Sequence, residues 1–374
     1  LLHQVKRIFL AILVLAIAWV GQRIYNNPPS ALPLPYDLAM ITEAELSKAS
    51  KANVLIVGDR LGINLNRYLE EALAPLSKKL REPLRVVNWA VDGESMAMTA
   101  HKLRSLKTYP EVIVYHGGTQ EFFQDRFDLK DAKRIHTNIA RYNNDFWQSI
   151  LILAPFLGRA LYHPVTRFPI ELSPSPNRKI YEAFEKQQQA DLSYQLLTIE
   201  WRSALHRIRE HNAQIIVVAP PLNLEIAPKR VCENSSSPAV VSEQKAIEEL
   251  LEAGDPKSAL SRAVKLAELT TANSQSFYLL GRAHSSLGEY PQAKAAFYRA
   301  QFFDCDLSRG NLLINKILIE EAERANQQVI DMNRLVNNHM GKNVLFFDEY
   351  KAQGIFYEEV AHQIEQLAKN ILKM

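Results

Sequence analysis

The chain has 374 residues, of which 47% are hydrophobic and 23% charged, with a formal net charge of +3. This is ordinary globular composition with room for one large domain or two smaller ones. So small a charge names no partner, and the lack of a basic cluster interleaved with aromatics argues against nucleic acid.

From Ile8 to Gly21 every residue is apolar or small, bounded by Lys6-Arg7 and Arg23, with Trp19 near the far end. At 1.5 Å per residue this stretch rises about 21 Å, short of a hydrocarbon core of roughly 30 Å. Leu1, Leu2 and Val5 extend it, and snorkelling basic side chains close the gap. A cleaved signal peptide is the rival, with Ala16-Ile17-Ala18 as its small-residue site. The reading adopted is an anchor over residues 1–24 that meets the lipid bilayer, with positive-inside bias placing the rest outside the cytoplasm. Residues 25–50, with Asn27-Pro-Pro-Ser-Ala-Leu-Pro-Leu-Pro35, read as a stiff spacer.

An α/β domain is expected over 51–230, resuming over 311–374. Val54 to Val57 read as a buried parallel strand that ends in Gly58-Asp59-Arg60-Leu61, and a helix with Leu65, Tyr68, Leu69, Leu73 and Leu76 follows. Leu84 to Ala90 reads as the second strand, ended by Asp92-Gly93-Glu94-Ser95, before a helix with Met98, His101, Leu103 and Leu106. Glu111 to Tyr115 is the third, leading into His116-Gly-Gly-Thr-Gln-Glu121-Phe122. Three strand, turn and helix units in succession predict a doubly wound parallel sheet of flavodoxin-like type, with all three turns at one edge.

Gly58-Asp59-Arg60-Leu61 resembles the first motif of the SGNH (GDSL) hydrolase family, Gly-Asp-Ser-Leu, with Arg60 where the nucleophilic serine would stand. An arginine supplies no nucleophile. Gly93 fits the family's second block, whose glycine amide helps to hold the oxyanion. The third block is usually Gly-x-Asn-Asp, and a membrane-anchored subgroup with internal tetratricopeptide repeats has Gly-His-Asn-Glu-Phe. Gly118-Thr119-Gln120-Glu121-Phe122 resembles the latter, with Gln120 replacing the asparagine donor. The resemblance therefore implies a vestigial site of Asp59, Arg60, Gly93 and Gln120. Ser95 and Thr119 are hydroxyls on the right loops and His101 and His116 the nearest imidazoles, but no spacing forces them together, and hydroxyls beside a turn are usually caps.

Phe146 to Gly158 is too apolar for a solvated helix and too short for a span; it reads as a cover helix on the sheet or as a membrane or partner surface, with Trp147 and Phe156 as contact candidates. Ala213 to Pro221 is the fourth strand. Between 231 and 310 the sheet is interrupted: Gly254 and Gly288 are 34 residues apart, as are Ala259 and Ala293, the tetratricopeptide period. This insert should lean on a helix from Leu312 to Val336 or on a partner, with Arg282, His284 and Ser285 as the exposed partner-binding candidates. Cys232 and Cys305 bracket it, either bridged or as two buried thiols.

Asn343 to Asp348 reads as the last strand and Glu358 to Leu372 as a closing helix. The family carries its Asp-x-x-His block just before that helix, whereas Lys351-Ala-Gln-Gly-Ile-Phe-Tyr357 has neither residue. His362 lies inside the helix, too late to match, and reads as a surface or interface residue. No cofactor is implied, and the ten histidines and two cysteines show no metal-ligand spacing. The resemblance implies a single-pass protein of a bacterial inner membrane, its main domain in the periplasm, serving as a catalytically dead scaffold or assembly subunit among other subunits of a membrane complex. The alternative is an active cell-envelope esterase or O-acyltransferase.

Overall fold

An unbroken apolar run is buried on both faces only inside a covered sheet, and the first such run occupies that place. In the computed structural model, β1 (Val54–Gly58) lies between β2 (Val86–Asn88) and β3 (Val112–His116), all parallel. β4 (Gln214–Ala219) pairs with β3, and β5 (Gln328–Asp331) with β4, giving the order β2-β1-β3-β4-β5. This 2-1-3-4-5 arrangement is that of flavodoxin-like doubly wound sheets. The structure describes residues 12–22, 32, 34–38, 40–78, 83–121, 126–169, 183–228, 237–304 and 311–372.

They fall into two compact units, Leu38–Gln124 with Glu171–Met374, and Leu1–Asp37 with Asp125–Ile170. Along the chain the first unit runs α1 (Glu43–Ser50), β1, α2 (Arg60–Ser77), β2, α3 (Met96–Ser105), β3, α4 (Ala183–Glu210), β4, an insert of α5 (Pro238–Glu252), α6 (Pro256–Leu269), α7 (Ser274–Ser286) and α8 (Tyr290–Phe302), then α9 (Leu312–Arg324), β5, α10 (Met332–Asn337) and α11 (Gly354–Ile371). Alternation along β1 sends Val54 and Ile56 into a core with Leu65 and Leu69 of α2, Val336 of α10 and Val360 of α11. Leu55 and Val57 enter the opposite core with Leu103 of α3, Trp201 of α4 and Leu318 of α9. The sheet is thus covered on both faces.

The insert is two helix pairs repeating at 34 residues. α5 and α7 each end in the same left-handed stop. Gly254 (φ +75°) and Gly288 (φ +77°) donate to Leu251 and Ser285, while Asp255 and Glu289 donate to Leu250 and His284. Within the second pair Gly281 leaves room for Phe297, which with Ala293 joins the core of the sheet. Tyr298 Oη accepts from Asn333 at 3.2 Å, and Gln301 Nε2 donates to the Asn223 carbonyl at 3.1 Å. The first pair closes over a separate cluster of Ile247, Ala259, Ala263 and Leu266.

Several expectations need correction. The helix foreseen from Leu312 to Val336 is α9, β5 and α10, and the insert docks on α10. Asn343 to Asp348 is not a strand: it makes one isolated bridge, Phe346 with Ala352, and the fifth strand is Gln328–Asp331. Residues 43–50, read as spacer, form α1, whose capping box pairs Thr42 with Glu45.

In the second unit, Tyr36–Asp37 pairs in parallel with Phe168–Pro169. The stretch expected to cover the sheet belongs to this unit, as a helix (Asp145–Leu153) capped by Asn144, a 3-10 turn (Pro155–Leu157) and a short helix (Gly158–Leu161). Leu151 and Ile152 are buried, whereas Phe146 and Phe156 are exposed. Residues 12–22 are helical and expose Ile12, Leu13, Val14, Leu15, Ile17 and Trp19. Among the described residues no helix is long and apolar enough to cross a membrane. Much of the expected anchor and spacer (1–11 and 23–31) and both cysteines, Cys232 and Cys305, lie outside the described residues.

Candidate active site

β1 ends at Gly58, where the φ of +129° and a position 2.2 Å from the His116 carbonyl for any Cβ admit only glycine. This close approach of two strand ends delivers Asp59, wholly buried, to the carboxyl edge of the sheet. Its Oδ1 accepts from the Leu61 amide at 2.9 Å, capping α2. Its Oδ2 accepts from the amides of Gly118 (3.1 Å) and Thr119 (2.9 Å) and from the Thr119 hydroxyl (2.7 Å). Burial pushes the carboxyl up to about 6, against hydrogen bonds that favour its charged form. Asp59 therefore ties the first loop to the third.

The second loop is tied to both. Arg60 donates through Nε to Asp92 Oδ1 at 3.0 Å and through Nη2 to Oδ2 at 3.1 Å, a bidentate pair at the rim with about half of each side chain exposed. Gly93 follows at φ +83°. From the third loop, Glu121 Oε1 accepts from the Met96 amide at 2.6 Å and so caps α3. Gln120 beside it is buried. Loops carrying Asp59, Arg60, Gly93 and Gln120 thus share one edge, laced together by side chains of their own.

Ser95 takes the N-cap position of α3 without making the side-chain cap expected of it, and its buried hydroxyl has no hydrogen-bond partner among the described residues. Thr119 spends its hydroxyl on Asp59. His116 is wholly buried, with Nδ1 3.0 Å from the Val218 carbonyl, which fixes Nδ1 as the protonated nitrogen. Burial holds its pKa down at about 4. Its ring meets Tyr357 edge-on at 6.0 Å, so the stretch lacking Asp-x-x-His contributes a phenol here. His362 is 68% exposed at its side chain and faces Glu365. Among the described residues no histidine is bonded to Ser95 or Thr119.

A buried ionic cluster beside this edge escaped the sequence reading. Lys102 Nζ bonds Glu94 Oε2 and the Trp89 carbonyl (2.8 Å) and stands 5.2 Å from the Trp89 ring centroid, while Thr99 donates to Glu94 Oε1 at 2.7 Å. Burial pushes Glu94 up to about 7 although Lys102 opposes it. Glu94 precedes the N-cap Ser95 and so lies outside α3, and no helical spacing in the sequence marks its pairing with Lys102.

No protein-family model and no curated protein matches the chain. Among solved structures, a lipase/acylhydrolase from Enterococcus faecalis aligns with 85% of this chain and 95% of its own at 10% identity, with a TM-score of 0.34. A likeness that distant carries nothing about activity.

Chemically, the edge holds a carboxylate saturated by donors, a guanidinium paired with a carboxylate and a neutral imidazole facing a carbonyl. A serine-hydrolase mechanism needs a hydroxyl bonded to an imidazole base; among the described residues the hydroxyls of Thr119 and Thr99 donate to the buried carboxylates of Asp59 and Glu94 instead. No group of three or more His, Cys, Asp or Glu able to hold a metal occurs among them either. Of the partner candidates, Arg282, His284 and Ser285 are half-buried rather than exposed. His284 Nδ1 lies 2.6 Å from Glu289 Oε2, across the turn between α7 and α8. That bond explains the departure: the turn uses the side chain that was expected to face a partner. Trp147 is half-buried and Phe156 is 76% exposed, both in the second unit.

Proposed function

We propose that this protein is a membrane-anchored, extracytoplasmic pseudo-hydrolase of the SGNH kind, with a tetratricopeptide-like insert, acting as a scaffold or assembly subunit of a membrane complex. The observation that carries the reading is the fate of the first motif. Arg60, where the nucleophile would stand, is clamped by Asp92, and Asp59 is saturated by Leu61, Gly118 and Thr119. The 34-residue helix pairs and their matching glycine stops support the tetratricopeptide part. The apolar stretch from Ile8 to Gly21 supports the anchor. One observation favours the esterase alternative: the buried, unpartnered Ser95 hydroxyl at a helix start.

The test joins two measurements on full-length protein in its host membrane. Hydrolysis of short p-nitrophenyl esters is expected to stay at the level of the uncatalysed reaction, and protease added to spheroplasts is expected to digest everything after Pro35. Esterase activity that vanishes in Ser95→Ala would establish the alternative, and a protected domain would reverse the topology.

A further inference from the structure

An open cleft lies on the second helix pair of the insert. Phe277 is buried with Ala267 and Ala300 and stacks on Phe303 at 5.7 Å between centroids, while Phe302 meets Phe303 edge-on at 5.2 Å. Together with Thr271, Tyr298 and Arg299 these rings line a cavity of about 330 Å³. Its floor is fixed, because Tyr298 is anchored to Asn333 of α10. Its rim is left in water: Phe302 is 57% exposed, and Leu269, two residues before Thr271, is 82% exposed.

The charge at the cavity is one-sided. Arg299 holds its guanidinium 5.6 Å from the Phe277 ring centroid, and among the described residues no carboxylate lines the space. Elsewhere on the insert Arg262 is clamped by Glu243 at 2.7 and 2.6 Å, but Arg299 has no acidic partner among the described residues. A guanidinium held over an aromatic face, with its outer donors free, fits a carboxylate. Ligand pockets run from about 300 to 1,000 Å³, so this one admits one or two side chains.

We propose that the cavity of Phe277, Arg299, Phe302 and Phe303 is a docking site for a peptide segment of another protein that presents a large apolar side chain next to a carboxylate. The apolar group enters the cavity against the faces that Phe302 and Phe303 present to it, and the carboxylate meets Arg299. The proposal rests on the scaffold reading for the occupant being a protein segment rather than a metabolite. It departs from the surface centred on His284, whose imidazole is already engaged.

The experiment selects a phage-displayed heptapeptide library on the purified full-length chain and measures the best synthetic peptide by fluorescence anisotropy. Enrichment of an aromatic or aliphatic residue beside Asp or Glu is expected. Arg299→Glu should then weaken binding by about tenfold or more, as loss of a charge-assisted contact does. A peptide with Lys in place of its acid should bind the Arg299→Glu chain better than the parent chain. Phe302→Ser should weaken both pairs while both variants keep the parent melting temperature, since the two side chains are exposed. Peptides that bind all chains equally, or no enrichment, would overturn the proposal. So would a concentration-dependent dimer that Phe302→Ser abolishes, since the occupant would then be a second copy of the chain. An esterase found in this chain would end the scaffold reading while leaving the charge swap intact, so the two failures are distinguishable.

Discussion

Asp59 would be a catalytic accessory in an active relative of the proposed kind, but in this chain its four hydrogen bonds give it a load that catalysis does not require. Removing the carboxylate leaves three amides and a hydroxyl without their acceptor in a buried place, at about 1–3 kcal/mol for each group that finds no substitute. Asp59→Ala is expected to lose about 3–5 kcal/mol of stability in urea denaturation. A loss under about 0.5 kcal/mol would mean that the loops are held by something else. His116 supplies a second residue-scale test. Its folded pKa is about 4 and its unfolded value about 6.5. Between these the unfolded chain takes up a proton that the folded chain refuses, so the His116 contribution to stability is lost as pH falls through that window. Glu94, raised to about 7, runs the other way: its folded form holds the proton longer, so its contribution declines as pH rises from about 4.5 to 7. His116→Asn keeps a donor for the Val218 carbonyl and removes only the first effect. Relative to the parent, it should gain about 2–3 kcal/mol on going from pH 7 to pH 4.5, read as denaturant midpoints at the two pH values; an unchanged difference would refute the burial argument. The lacing of the edge was only half legible in the sequence. Asp59 and Arg60 stand out because an apolar run stops at them. Asp92 and Glu121 do not, because a sequence gives no distance between loops some thirty residues apart.

At the scale of the element, three of the four strands that were read correctly, β1, β3 and β4, lie inside the sheet with nearly every position buried, and the fourth, β2, is a short edge strand within the mostly apolar stretch from Leu84 to Ala90. β5 escaped because it is an edge strand of four residues: only Ile330 is buried and Gln328 faces water, so its pattern looks polar. Asn343 to Asp348 misled for the opposite reason. Leu345 and Phe346 are buried in the core, yet Val344 and Phe347 project into solvent, so an apolar run there fills space without extending the sheet. The insert was legible because its period is imposed by helix packing. Two glycines in it test different physics. A Cβ at Gly281 would lie 2.5 Å from Phe297 Cδ1, inside a packed ring, and Gly281→Ala should cost about 1–3 kcal/mol by overpacking. A Cβ at Gly288 meets nothing within 4 Å, so Gly288→Ala should cost only the left-handed backbone term of about 1 kcal/mol. Thermal denaturation that ranks Gly288→Ala as the more damaging would show that the ring contact is not tight.

The sheet-bearing unit as a whole is unevenly cohesive. Its two main cores share the sheet between them, and the second helix pair is sewn into one through Ala293 and Phe297. The first pair rests on its own small cluster and exposes Val241 and Val264. Local opening costs least where few apolar contacts must be broken. Amides of α5 and α6 should therefore exchange with solvent sooner than those of β1 and β3 in native-state hydrogen exchange. Equal protection would mean that the insert and the sheet open as one.

The twin glycine stops have a consequence for the history of such a chain. Each unit leaves its first helix by the same left-handed turn, so one whole 34-residue unit can be duplicated at that turn while Gly281 stays opposite Phe297 and the contacts of Phe297 with the sheet stay in register. Arm length is thereby uncoupled from the doubly wound body. Descendants of this gene can lengthen their reach by unequal recombination, a change of gauge that leaves the mounting untouched.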